Sequence, residues 1–248
     1  MNEIATYDGG LSIQAITQYL FWIGTVAMGS ATVFFFLERS NVASRYRSSM
    51  TVAGLVTGVA CFHYYRMAGI YAAGDFPTAY RYIDWIITTP LMLIKFPLLL
   101  GIAKGAKKFL TPLITLDIAM IVTAYVAEVS PIGGMSWWTF FIAACLFEAG
   151  IVFLLFVKMG KSIQESPAPI AKSLKLMRNF IFIGWIIYPV GFLMALAGST
   201  GGDFREIFYN IADVINKVGF GLVAYYGIKQ ISGQETKTGS SEADVVQA

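Results

Sequence analysis

The chain has 248 residues, 56% of them hydrophobic and 13% charged, with a formal net charge of +3 at pH 7. A soluble domain carries about 25% charged residues, so this composition excludes an ordinary water-soluble fold and points to a multi-pass membrane protein in a lipid bilayer. The charges sit in short segments between apolar runs and form no nucleic-acid-binding face.

Residues 1–13 contain no Lys or Arg, lack the basic start of a secretory signal peptide, and read as a short extracellular leader. Seven transmembrane helices follow, at about 14–37, 50–72, 80–102, 110–129, 135–157, 171–196 and 205–231. Ile16 to Leu37 is uncharged over 22 residues and Phe180 to Thr200 over 21. Either run can cross a hydrocarbon core of about 30 Å. The expected fold is an all-α seven-helix bundle occupying 14–231, its short connections making sequence neighbours antiparallel neighbours in space. Cys61 and Cys145 fall inside apolar runs, without zinc or disulfide spacing, and no metal site is expected. Residues 232–248, polar and without aromatics, read as a disordered tail.

Lys and Arg near the span ends fix an expected orientation. Thirteen lie on one side: Arg39, Arg45, Arg47, Lys104, Lys107, Lys108, Lys158, Lys161, Lys172, Lys175, Arg178, Lys229 and Lys237. Only Arg66, Arg81 and Arg205 lie on the other. The N-terminus is therefore expected outside and the C-terminus in the cytoplasm.

Seven ionisable residues fall within the spans: His63, Asp84, Lys95, Asp117, Glu148, Asp213 and Lys217. Each needs a partner or a water-filled cavity, which makes it a functional candidate, although a helix-joining pair or a snorkelling side chain is the plainer reading. Asp213 and Lys217 are four apart and share a helix face. Desolvation in mid-span favours the neutral amine of Lys217, which can form an imine with an aldehyde; a structural Asp–Lys pair is the competing reading. Arg81, Asp84 and Thr88 follow one face of the third span. Lys95 returns to nearly that face eleven residues after Asp84, which is about 16 Å along the axis and too far for a direct salt bridge. Pro90 between them is expected to kink the helix. Aromatic residues Tyr82, Trp85, Trp185, Tyr188 and Phe192, with Pro189, can sandwich a long flat apolar ligand or simply pack.

Three stretches, "RYIDWIITTPLMLIKF" at 81–96, "FIGWIIYPVGF" at 182–192 and "ADVINKVGFG" at 212–221, resemble the third, sixth and seventh helices of the microbial rhodopsins, most nearly the proteorhodopsin branch of proton pumps. The resemblance covers residues 14 to 231. It implies a light-driven outward proton pump in the bacterial inner membrane, homo-oligomeric, with all-trans retinal bound to Lys217 as a protonated Schiff base. By the same resemblance Asp84 is the proton acceptor and counterion, Asp213 the second counterion, and Arg81 the arginine beneath them. Thr88 is the threonine bonded to the acceptor and His63 the histidine paired with it. Tyr64 and Tyr188 hold the second counterion. Tyr82, Trp85, Trp185, Pro189 and Phe192 line the pocket, and Asp117 and Trp138 lie near its ring end. Met92, eight residues after Asp84, takes the colour-tuning position and implies green absorption.

Two departures from the family pattern stand out. Most of these pumps carry a carboxylic acid where this chain has Lys95, and a smaller subgroup carries lysine. Lys95 is then expected to wait as a neutral amine, take a proton from the cytoplasm and pass it to Lys217. The glutamate pair that releases protons in bacteriorhodopsin-type pumps is absent: Arg205 stands at one of its positions, Glu206 is expected to point elsewhere, and Glu128 lies in another loop. Glu148 receives no role. The alternatives are a pump for another ion, a photosensor, or a seven-helix transporter with no chromophore. Chloride pumps lose the acid at the Asp84 position, and sodium pumps carry Asn and Asp at the Asp84 and Thr88 positions; neither pattern occurs here.

Overall fold

A computed structural model describes the backbone of residues 12–101 and 106–246 and the side chains of 12–101 and 108–235. Most of the expected leader, Lys104 and Lys107, and the tail side chains beyond 235 lie outside the described residues. Seven long helices cross the structure: α1 (Ile13–Glu38), α2 (Arg47–Ala72), α3 (Thr78–Leu100), α4 (Leu110–Glu128), α5 (Met135–Lys158), α6 (168–197) and α7 (198–246). No strand occurs among the described residues.

The apolar runs account for these helices. In a bilayer each backbone polar group must be satisfied within its own segment, which leaves the helix as the economical solution. Small hydroxyls follow the same rule. Thr25, Thr32, Thr88, Thr89 and Ser130 each donate to the carbonyl four residues earlier, at 2.6–2.9 Å. Ser12 caps α1 by accepting from the Ala15 N–H at 3.1 Å. The turn between α6 and α7 needs a positive φ, which Gly198 supplies at +69°.

Sequence neighbours pack together from α1 to α4 and from α4 to α5, and α7 packs against both α6 and α1. Phe156 and Phe182, with ring centroids 5.7 Å apart, join α5 to α6. The seven helices thus form a ring around a core of Tyr82, Trp85, Met92, Leu93, Phe96, Trp185, Tyr209 and Phe220. The outer surface carries a belt of exposed Leu, Ile, Val and Phe side chains, as a lipid-facing surface requires. Close approach of α1 to α2 depends on Gly24, because a methyl group there would overlap the Tyr64 ring.

Three π turns interrupt the regular winding: Leu154–Lys158 in α5, Phe180–Gly184 in α6 and Ile215–Gly219 in α7. The last two are tied together, since Asn216 Nδ2 donates to the Gly184 carbonyl at 3.0 Å. Such turns concentrate at functional sites.

Two expectations about the ends need correction. α7 starts at Gly198, seven residues before the expected 205, because Asp203 is held there by Gln14 Nε2 at 2.7 Å and the Tyr71 hydroxyl at 2.6 Å. The segment after 231, expected to be disordered, begins as a continuation of the Phe220–Val246 helix. Glu235 pairs there with Arg45, and Ser232 Oγ accepts the Ala43 N–H at 3.0 Å.

Candidate functional site

The α3 and α7 faces meet along a ladder of ionic and polar side chains. On α3, Thr78, Arg81, Asp84 and Thr88 recur every three or four residues. On α7, Glu206, Asn210, Asp213 and Lys217 do the same. All eight are buried. Their spacings put each set on one helix face, and the bundle turns the two faces toward each other.

Lys217 occupies the centre. Its Nζ lies 3.0 Å from Asp84 Oδ2 and 2.9 Å from Asp213 Oδ1. The two carboxylates differ in their surroundings. Asp213 accepts from the Tyr64 hydroxyl at 2.9 Å, the Tyr188 hydroxyl at 2.7 Å and Trp85 Nε1 at 3.4 Å, and Arg81 Nη1 lies 3.6 Å away. The Asp84 carboxylate has the Lys217 ion pair and accepts no hydrogen bond among the described residues. One acid is saturated with donors and the other has capacity to spare.

Arg81 faces away from Lys217. Its Nη2 and Nε lie 2.6 and 3.0 Å from Glu206 Oε2, and Nη2 also donates to Asn210 Oδ1 at 2.6 Å. Thr78 donates to Glu206 Oε1 at 2.5 Å and accepts from Arg205 Nη2 at 2.7 Å. Arg205 Nη1 in turn pairs with Glu128 at 3.1 Å. A continuous chain of charge-assisted contacts therefore runs from Asp213 to the Glu128 end of the bundle. Glu206, expected to point elsewhere, is fully buried and is the principal partner of Arg81. It lies seven residues before Asp213 and eleven before Lys217. Those separations place it on their face of α7, so its participation was readable from spacing.

Lys95 lies on the opposite side of Lys217. It is 1% exposed, and its Nζ sits 5.1 Å from the Phe220 ring centroid.

Beside Lys217 opens an elongated cavity enclosing about 740 Å³ of empty space, including the part open to the outside. Tyr82, Trp85, Met92, Trp185, Tyr188, Pro189 and Phe192 line it. Thr89, which donates to Asp117 Oδ2 at 2.9 Å, lines it as well, so Asp117 stands just behind the wall. Glu148 and Cys145, one turn apart on α5, are on the wall itself. A slot of aromatic and aliphatic side chains with a single amine inside suits a long apolar aldehyde such as retinal.

Two site expectations fail, that for Trp138 through the 100° rotation between consecutive helix residues. Trp138 is 38% exposed and does not line the cavity. Its neighbour Trp137, 1% exposed, turns inward and stacks on Phe192 with centroids 4.5 Å apart, while Phe141 supplies the α5 aromatic on the wall. His63 is half-buried and edge-on to Phe62; it makes no hydrogen bond with the Asp84 carboxylate but acts on it electrostatically. Thr88 donates to the backbone carbonyl of Asp84 at 2.9 Å and not to its carboxylate. Residues that sequence reasoning missed are Glu206, Thr78, Asn210, Asn216 and Phe141. No group of three or more metal-ligating side chains occurs among the described residues.

Comparison with known proteins places this geometry. Residues 15–231 match the family described as bacteriorhodopsin-like protein. The chain is 37% identical over 230 residues to the green-light absorbing proteorhodopsin of Gamma-proteobacterium EBAC31A08, covering 91% of each chain. The crystal structure of Exiguobacterium sibiricum rhodopsin superposes with a TM-score of 0.84 at 42% identity, over 89% of this chain and 98% of that one. That of xanthorhodopsin, described as a light-driven ion pump with dual chromophore, gives 0.83 at 28% identity, over 90% and 96%.

Proposed function

This chain belongs to the bacteriorhodopsin-like family of microbial rhodopsins, retinal proteins that work as light-driven ion pumps and not as enzymes, and we propose that it is an outward proton pump, green-absorbing, with all-trans retinal joined to Lys217. The observation that carries the proposal is the Lys217 amine, held 3.0 Å from Asp84 and 2.9 Å from Asp213 in the wall of an apolar cavity. Joined to Nζ, retinal supplies visible absorption and a light-driven change of shape at that nitrogen.

The residues around it do the rest. Lys217 Nζ holds a proton between the two carboxylates and hands it to Asp84, whose oxygens have no competing donor. Asp213 stays ionised because Tyr64, Tyr188, Trp85 and Arg81 already stabilise its charge. The Glu206, Thr78, Arg205 and Glu128 chain offers an exit beyond Arg81. Lys95 takes a proton from the cytoplasmic side and returns it toward Lys217, the role expected of the lysine-donor subgroup. The orientation follows from the basic loops, with the N-terminus outside and the C-terminus in the cytoplasm of a bacterial inner membrane. Met92, buried on the cavity wall, supports green absorption. Association into homo-oligomers is carried by the family likeness alone.

Cells expressing the protein with all-trans retinal are expected to acidify their medium on illumination, and a protonophore should abolish the signal. Alkalinisation that a protonophore enhances would mean that another ion is moved. Absence of a visible band after adding retinal would leave a transporter without chromophore.

A further inference from the structure

Lys95 is a buried amine whose Nζ packs against an aromatic ring. Its Nζ lies over the Phe220 ring at 5.1 Å from the centroid, and both side chains are 1% exposed. The ring is fixed from two sides, by Phe96 at 5.9 Å and by Phe180 at 6.5 Å, both edge-on. The ring therefore cannot easily turn away from the amine.

The position of Phe220 in the chain adds a second observation. It is the first residue after the π turn Ile215–Gly219, in whose centre Lys217 sits. Phe180, which braces it, is the first residue of the π turn in α6. Asn216 stitches the two turns together through the Gly184 carbonyl, and a side chain at Gly219 would press on the Phe180 ring at 3.1 Å. Phe220 is thus joined through the chain to the Lys217 turn and by contact to Lys95.

We propose that Phe220 is a positioning residue for proton return: its ring receives the charged form of Lys95 and couples that amine to the Lys217 turn. The proposal rests on the reading of Lys95 as proton donor. The proton passes from cytoplasmic water to Lys95 Nζ and from there to Lys217 Nζ; Phe220 gains and loses no atoms. A buried ammonium without a counterion needs some partner during the interval in which it is charged, and the face of an aromatic ring is one that an apolar interior can offer. Once that proton has passed to Lys217 Nζ, the Lys95 amine is neutral again and no carboxylate is left unpaired.

The test uses the full-length protein, loaded with all-trans retinal in liposomes and followed by flash photolysis. Phe220→Leu should leave the resting band in place and slow the late phase, in which the Lys217 nitrogen regains its proton, by about tenfold. Phe220→Tyr keeps the ring face and should stay within about twofold of the parent. Phenylalanine analogues carrying one, two or three fluorines at residue 220 keep the shape while draining the ring face, and should slow the phase in graded order. Combining Phe220→Leu with Lys95→Ala should be no slower than Lys95→Ala alone.

If Lys95→Ala slows the phase while the fluorinated series stays at the parent rate, Phe220 only packs and this inference falls by itself. If Lys95→Ala leaves the rate unchanged, the donor reading falls and takes the inference with it. Should Phe220→Leu fail to form pigment, the fluorinated series decides.

Discussion

On one side of Lys217 the α3–α7 interface buries Asp84, Asp213, Arg81 and Glu206, with Thr78, Asn210, Tyr64 and Tyr188 supplying most of the remaining hydrogen bonds. On the other it buries Lys95 against Phe220, with Leu93 and Phe96 beside it in sequence and equally buried. In the first region each charge is opposed by another within a few ångströms. The second cannot hold a charge for long, because an isolated ammonium in apolar surroundings is costly. A network suits a group that must stay ionised while a neighbour changes, and isolation suits a group that must be neutral at rest and charged only briefly. The same two helices thus supply an ionic network at one end and, on the proposed reading, a transient carrier at the other.

The contrast can be broken at several points, in descending order of effect. Lys217→Ala removes the amine on which both halves converge, and no visible band should form at any retinal concentration, as read by absorbance. Lys95→Ala attacks the isolated half; late-phase recovery in flash photolysis should slow by about a hundredfold, the scale of a lost proton-transfer group, with the resting band unmoved. Arg81→Ala attacks the network half. It removes the principal cation of buried Glu206, leaving only Arg205 at 4.0 Å among the described residues, and should cost about 3 kcal/mol, read as a lower temperature for thermal loss of the band. Glu206→Gln should cost about 1–3 kcal/mol in the same melt, because the amide oxygen can still accept from Arg81 while its NH2 faces the Thr78 hydroxyl. Trp137→Leu against Trp138→Leu calibrates the scale outside both halves. The buried Trp137 should lose about 2–3 kcal/mol, and the exposed Trp138 less than about 0.5.

Much of this was legible in the sequence. The seven spans follow from apolar runs between charged segments, and the Asp84–Arg81 and Asp213–Lys217 spacings place four charges on two helix faces. What escaped was finer than one helical step. Trp138 was taken for the inward residue when the adjacent Trp137 holds that position, because similar residues one apart leave the rotation of a helix undecided until its neighbours are packed. Glu206 was discounted for standing next to Arg205, although its distance from Asp213 put it on the ladder. The start of α7 at Gly198 was hidden for another reason. A segment of Gly, Ser and Thr reads as loop, and only the partners Gln14 and Tyr71, on other helices, hold Asp203 in a helical turn.

Gly24 carries a consequence for the whole centre. It lies on α1, which contributes no charge to the site, yet the bare α-carbon there leaves room for the Tyr64 ring. The Tyr64 oxygen donates to Asp213 and accepts from Arg81 Nη1 at 3.2 Å. The depth to which α1 seats against α2 therefore decides where that oxygen stops. A helix without chemistry of its own acts as a calibrating shim, and its fit is registered two helices away as the share of the Asp213 charge that the Lys217 proton feels.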